Sequence, residues 1–97
     1  MSQAIWSDKA KEDYWNNIDY LLEDFTALEA TNFIEKVDAI ITIIEKSPKT
    51  FQKSEYKKIH FVPVFPQITL FYLVNGKKPV TLVRFWNNKK DPAKFSI

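Results

Sequence analysis

Apolar residues recur at two different periods along this chain, and the period changes once, near Pro48. Ala10, Tyr14, Ile18, Leu21, Leu22 and Phe25 gather on one helical face with Trp15 at its margin, while Glu12, Asp13, Asn16, Glu23 and Asp24 fall mostly off that stripe. Ser7 stands where an N-cap belongs, and Asp8 behind it suits the positive end of a helix dipole. This predicts an amphipathic helix ending near Phe25. Thr26 and Glu29 then form a T-x-x-E capping box that opens a second helix, whose face is Ala30, Phe33, Ile34, Val37, Ile40, Ile41 and Ile44. Ser47–Pro48 closes it, because proline lacks the donor and restricts the residue before it.

Beyond a polar link over 49–55 the pattern becomes strand-like. Three β-rich runs follow, 56–62, 68–74 and 80–86, and Asn75–Gly76 tolerates the positive φ of a turn joining the second run to the third. Pro63 and Pro66 are expected at a bend or outside the ladder. Residues 2–6, with Ile5 and Trp6, are strand-like but short. The order β-α-α-β-β-β predicts an α+β domain over 1–97: a helix hairpin packed on one face of an antiparallel sheet, with the other face exposed and basic.

Composition narrows the possibilities. With 97 residues, 45% of them hydrophobic and 27% charged, the chain has material for one core. It has no Cys, one Gly and one His, so disulfides, thiolate zinc sites, glycine-rich phosphate loops and paired-histidine chemistry are excluded. No cofactor and no metal are expected. Without a signal-like start or a run able to span a bilayer, the reading is a soluble cytoplasmic protein that engages no membrane.

Net charge is +2, but residues 1–50 hold five Lys against ten carboxylates, a net of −5, and residues 51–97 carry +7. A basic half that forms a separate face attracts nucleic acid or an acidic protein segment; a merely solvated face is the alternative. The cationic candidates for contact with a target or a nucleic acid are Lys53, Lys57, Lys58, Arg84, Lys89 and Lys90. Alternation sets Lys58 and His60 together, opposite Ile59 and Phe61, and it sets Arg84 with Val80, Leu82 and Trp86. His60, Arg84 and Lys57 are the candidates for catalysis. For His60 a structural role is the plainer reading. For Arg84 an internal carboxylate and a phosphate or partner contact both remain open.

The element order, together with several short strings, resembles the RelE/ParE superfamily of bacterial type II toxin–antitoxin toxins, with the ParE-like plasmid-stabilisation members closest. The strings are Ile5-Trp6-Ser7 leading through Ala10, Tyr20-Leu21-Leu22-Glu23, Asn32-Phe33, Ser47-Pro48, Leu70-Phe71-Tyr72-Leu73-Val74, and Trp86-Asn87-Asn88-Lys89-Lys90-Asp91-Pro92. The resemblance implies a twisted sheet with two N-terminal helices and a cognate antitoxin that wraps and neutralises the toxin. It also implies one of two targets: DNA gyrase, inhibited by ParE-like members, or mRNA on the ribosome, cut by RelE-like members. The nuclease pattern is incomplete here. Lys90 replaces the arginine often seen before Asp-Pro, Lys57 and Lys58 stand for a basic pair without arginine, and the tail from Asp91 to Ile97 has neither a His nor a Tyr.

Overall fold

The computed structural model describes residues 3–90 and 92–97. Its elements run β1 (Ile5–Trp6), α1 (Asp8–Asp24), α2 (Ala27–Lys46), β2 (Gln52–Lys53), β3 (Ile59–Phe65), β4 (Ile68–Leu73) and β5 (Thr81–Asn87), and a 3-10 turn over Pro92–Lys94 follows. Ser2, at the start of the expected first segment, and Asp91, in the string after the last strand, lie outside the described residues.

Both helices start where the sequence predicts. The Ser7 hydroxyl accepts from the Ala10 amide at 3.0 Å, and the Thr26 hydroxyl accepts from Glu29 at 3.1 Å, so each cap satisfies an amide that lacks a partner within its helix. At the far end of α2 the Ser47 amide still donates to Ile43, and Pro48 stops the helix there. Strand order across the sheet is β1-β5-β4-β3-β2. The pairs β2–β3, β3–β4 and β4–β5 are antiparallel, but β1 runs parallel to β5, so the sheet is mixed and not purely antiparallel. The two-residue β2 lies inside what the sequence presented as a polar link.

Three other expectations are corrected. The first long strand begins at Ile59, since Tyr56–Lys58 form a turn in which Lys58 takes a φ of 64°. That strand runs on through Pro63, which is tolerated because β2 pairs only with His60 and Phe61 and leaves the outer edge beyond them open. Residues 66–67 make a tight hairpin turn between β3 and β4, with Pro66 entering it. The buried stripe of α1 is Ala10, Asp13, Asn17, Ile18 and Leu21; Leu22 and Phe25 are exposed, and two polar residues take the inward positions.

The core lies between the helix pair and the inner sheet face. Phe33, Val37 and Ile44 of α2 and Leu21 of α1 meet Val62, Leu70, Tyr72, Leu82 and Phe85 of the strands. Trp6, Tyr14, Phe33 and Phe85 form an aromatic chain linking β1, both helices and β5, with ring centroids 5.1 to 6.4 Å apart. Among the described residues no helix is long and apolar enough to cross a membrane.

Tyr72 is fully buried at the centre of β4 and donates its hydroxyl proton to the Pro48 carbonyl at 2.8 Å, tying the end of α2 to the sheet. Burial pushes its phenol up to about 12, with a backbone hydrogen bond at Phe51 pulling the other way. The folded state therefore holds this proton more tightly than the unfolded chain does. Its stabilisation is complete below the ordinary tyrosine value of 10.0 and is lost as pH rises from there toward about 12. Tyr72→Phe is expected to cost about 1 kcal/mol at neutral pH through the lost hydrogen bond. Urea titrations across the alkaline range should also show a shallower decline of stability than in the parent protein.

Candidate recognition surface

The outer face of the sheet, turned away from the helices, is aromatic. Register places Thr69, Phe71 and Leu73 of β4 there, paired with Pro63, Phe61 and Ile59 of β3. On β5 the register slips between Phe71 and Tyr72, because Tyr72 pairs with Leu82 while Phe71 pairs with Arg84. Val83 is thus an extra residue, and such a bulge reverses the facing of everything after it. Arg84 and Trp86 are carried to the outer face, whereas Val80 and Leu82 stay in the core, so simple alternation through this strand fails at Val83.

The chain's C-terminal segment crosses this face. The Phe95 ring packs on Phe71 at 5.0 Å, on Trp86 at 4.9 Å and on Tyr56 at 6.3 Å. Beside it an open cleft of about 460 Å³ is lined by Gln52, Lys53, Tyr56, Phe61, Thr69 and Phe71. The lining offers aromatic rings, with Lys53 and Glu55 both bordering it so that their charges offset, a chemistry that suits an apolar or aromatic anchor. The expectation of a basic outer face is therefore corrected.

Arg84 is 7% exposed, and its donors are occupied. Its Nε and Nη2 donate to the two oxygens of Asp13 at 2.7 and 3.1 Å, and Nη1 donates to the Ser96 carbonyl at 2.9 Å. Its guanidinium also lies 5.4 Å from the centre of the Trp86 ring. Of the two roles left open for this residue, the internal carboxylate partner is the one formed. Asp13 is itself 4% exposed and takes a third bond from the Phe85 amide at 3.1 Å. One turn further along α1, Asn17 donates to the Phe85 carbonyl at 2.9 Å and accepts from Asn87 at 3.2 Å. No motif in the sequence marked Asp13 or Asn17, and Asn87 entered only within the Trp86–Pro92 string. The one trace is their spacing, since 13 and 17 sit three residues after Ala10 and three after Tyr14 on the inward side of α1.

His60 faces the core. Its ring stacks on Tyr72 at 5.5 Å, and Nδ1 lies 3.0 Å from the Phe51 carbonyl, the donor of that bond being the imidazole N–H. Opposite it, Ile59 and Phe61 take the outer side that alternation reserved for polar residues, and Lys58 lies in the preceding turn. The five lysine candidates do not converge. Lys53 pairs with His60, and Lys57 and Lys58 precede β3, at the end of the sheet where β4 finishes. Lys89 and Lys90 follow β5 at the opposite end, where Asn88 donates to Gln67 in the β3–β4 turn. The six residues of β4 separate these groups by about 20 Å at ~3.3 Å per residue, more than twice the ~8 Å screening length of physiological salt. Among the described residues no group of three or more His, Cys, Asp or Glu side chains is arranged to hold a metal ion.

No protein-family model and no curated protein sequence matches the chain. Solved structures do. A chain of the chromosomal ParDE toxin–antitoxin system from P. aeruginosa matches at a TM-score of 0.73 and 14% identity, over 90% of this chain and 96% of that one. A chain of the YoeB dimer from Staphylococcus aureus matches at a TM-score of 0.60 and 14% identity, over 86% and 92%. The protein thus has the α+β fold of the ParE- and RelE-like toxins, two helices on a five-stranded sheet.

Three variants examine this surface. Arg84→Ala leaves the Asp13 carboxylate buried without its cation and is expected to cost about 3–5 kcal/mol in urea unfolding. The pair Arg84→Met with Asp13→Asn, which removes the charge but keeps an oxygen for the Phe85 amide, should cost clearly less. Phe95→Ala is expected to leave the fold intact at a cost of about 1 kcal/mol, the ring being only half-buried. It should also raise acrylamide quenching of tryptophan fluorescence by uncovering Trp86.

Proposed function

We propose that this protein is the toxin of a type II toxin–antitoxin system. It inhibits growth by binding a target, DNA gyrase, and is held inactive by a cognate antitoxin. The observation that carries the reading is the extent of the likeness to the ParDE-system chain, which spans 90% of this protein and 96% of that chain. The side chains support the binding form of activity. Cutting RNA by attack of a 2′-hydroxyl requires a group to take the proton, one to protonate the leaving oxygen, and cations for the phosphate. Of the three catalytic candidates, His60 and Arg84 are held by bonds of the fold itself, which leaves Lys57 in its turn. Binding asks for no such set, and the cleft beside Phe95 supplies aromatic anchors for it. Of the six cationic candidates, Lys53 borders the cleft itself, with Glu55 beside it.

Purified gyrase with excess folded toxin is expected to lose supercoiling activity, and adding a cognate antitoxin should restore it. Full supercoiling, together with new mRNA ends by primer extension in a translating extract, would instead assign the chain to ribosome-dependent endoribonucleases of RelE type. Absence of growth arrest on induction without antitoxin would overturn the toxin reading altogether.

A further inference from the structure

One end of the molecule concentrates lysines that the sequence had scattered, and most of them were not among its candidates. The turn between β4 and β5 folds back through the Lys78 amide, which donates to the Asn75 carbonyl at 3.2 Å, with Gly76 at a φ of 61°. Lys77 and Lys78 line a cleft of about 250 Å³ with Pro48, Gly76 and Glu45. On the other side of Gly76, Lys49 lines a second cleft of about 420 Å³ with Thr50 and Val74. Lys58 is brought to the same turn, since its carbonyl accepts from Val74 at 2.9 Å and its Nζ donates to the Asn75 side chain at 3.2 Å. It is also the only non-glycine residue with positive φ among those described, a conformation sparsely populated by side chains of this kind. Four exposed ammonium groups from three separate segments therefore surround a single turn.

The neighbouring negative charge does not balance them. The C-terminus of α2 contributes roughly −0.5 of a charge and Glu45 a full one, leaving an excess of about +2.5. The Glu45 carboxylate is already accepting from the Ala4 amide at 2.7 Å. Among the described residues the one ion pair is Arg84–Asp13, between β5 and α1. Besides the lysines and Glu45, the residues bordering the two clefts are prolines, small polar residues, Gly76 and the aliphatics Ile44, Val74 and Val80, with none of the aromatic anchors in which protein-partner hot spots are enriched. A phosphate backbone, by contrast, needs only flexible point charges, which lysines supply.

We infer that the turn carrying Lys77 and Lys78, with Lys49 and Lys58, is a contact surface for the phosphate backbone of a nucleic acid. It is separate from the aromatic cleft and does not rest on the toxin reading. The test is fluorescence anisotropy of the full chain with a random-sequence duplex DNA and with a single-stranded polyuridine RNA, each across a salt series. Four phosphate contacts at a slope of about 0.9 each predict that the duplex dissociation constant rises about a hundredfold between ~50 and ~200 mM salt. The variant Lys49→Gln, Lys58→Asn, Lys77→Gln, Lys78→Gln, with asparagine chosen to keep the positive φ, should flatten that slope by about 3 to 4. Lys89→Gln with Lys90→Gln should leave it unchanged. Binding of either nucleic acid with this pattern supports the surface and shows which kind of strand it takes. Failure of both to bind overturns it. So does an unchanged slope in the quadruple variant, shown by its melting curve to be folded, or tighter binding of poly-glutamate than of the duplex.

Discussion

Strand β5 is central in the chain's contacts but has only a two-residue neighbour on one side, and that edge must be satisfied by something other than a strand. β1 covers it at Thr81 and Leu82, after which the backbone groups of Val83 and Phe85 would be buried without partners. The Ser7 amide donates to the Leu82 carbonyl, and from there side chains at the start of α1 and along it replace the missing strand: the Ser7 hydroxyl takes the Val83 carbonyl, Asp13 the Phe85 amide and Asn17 the Phe85 carbonyl. This requirement fixes where α1 lies and which of its faces turns inward. It also brings a carboxylate into the interior, where only a fixed cation makes it tolerable, and Arg84 is that cation.

Because Arg84 is committed to Asp13, its remaining donor can hold the Ser96 carbonyl without moving. The C-terminal segment is thus attached through a buried arginine to the first helix, and Phe95 is seated between Phe71 and Trp86 as part of the same arrangement. The aromatic cleft exists only with that segment in place, since Phe95 is one of its walls. A surface of this make-up favours recognition through burial of rings.

Electrostatics are organised along the strands and not across the sheet. Three cations of the second half, Lys58, Lys77 and Lys78, meet at the β4–β5 turn, where Lys49 of the first half joins them, with Lys89 and Lys90 far enough away to be screened from it. Two surfaces with different chemistry result: an aromatic one across the outer face and a cationic one at an end.

Local physics made much of this legible in the sequence. Ser7 and Thr26 announced both helix starts, Pro48 the end of the second, and the apolar rhythm of α2 gave its core face without error in Phe33, Val37, Ile40 and Ile44. Asn75–Gly76 marked a turn correctly. These are signals read within a few residues, where capping bonds and periodicity act. What the sequence left undetermined involves pairing between distant segments. The bulge at Val83 is a mismatch of two strands and has no signature in either one. The inward facing of His60 depends on which side the helices cover. Asp13 and Asn17 look like ordinary solvated residues until β5 lies alongside with an open edge. The family resemblance anticipated the fold, but convergence of charge is a property of three-dimensional register, and there only the assembled sheet decided which lysines meet.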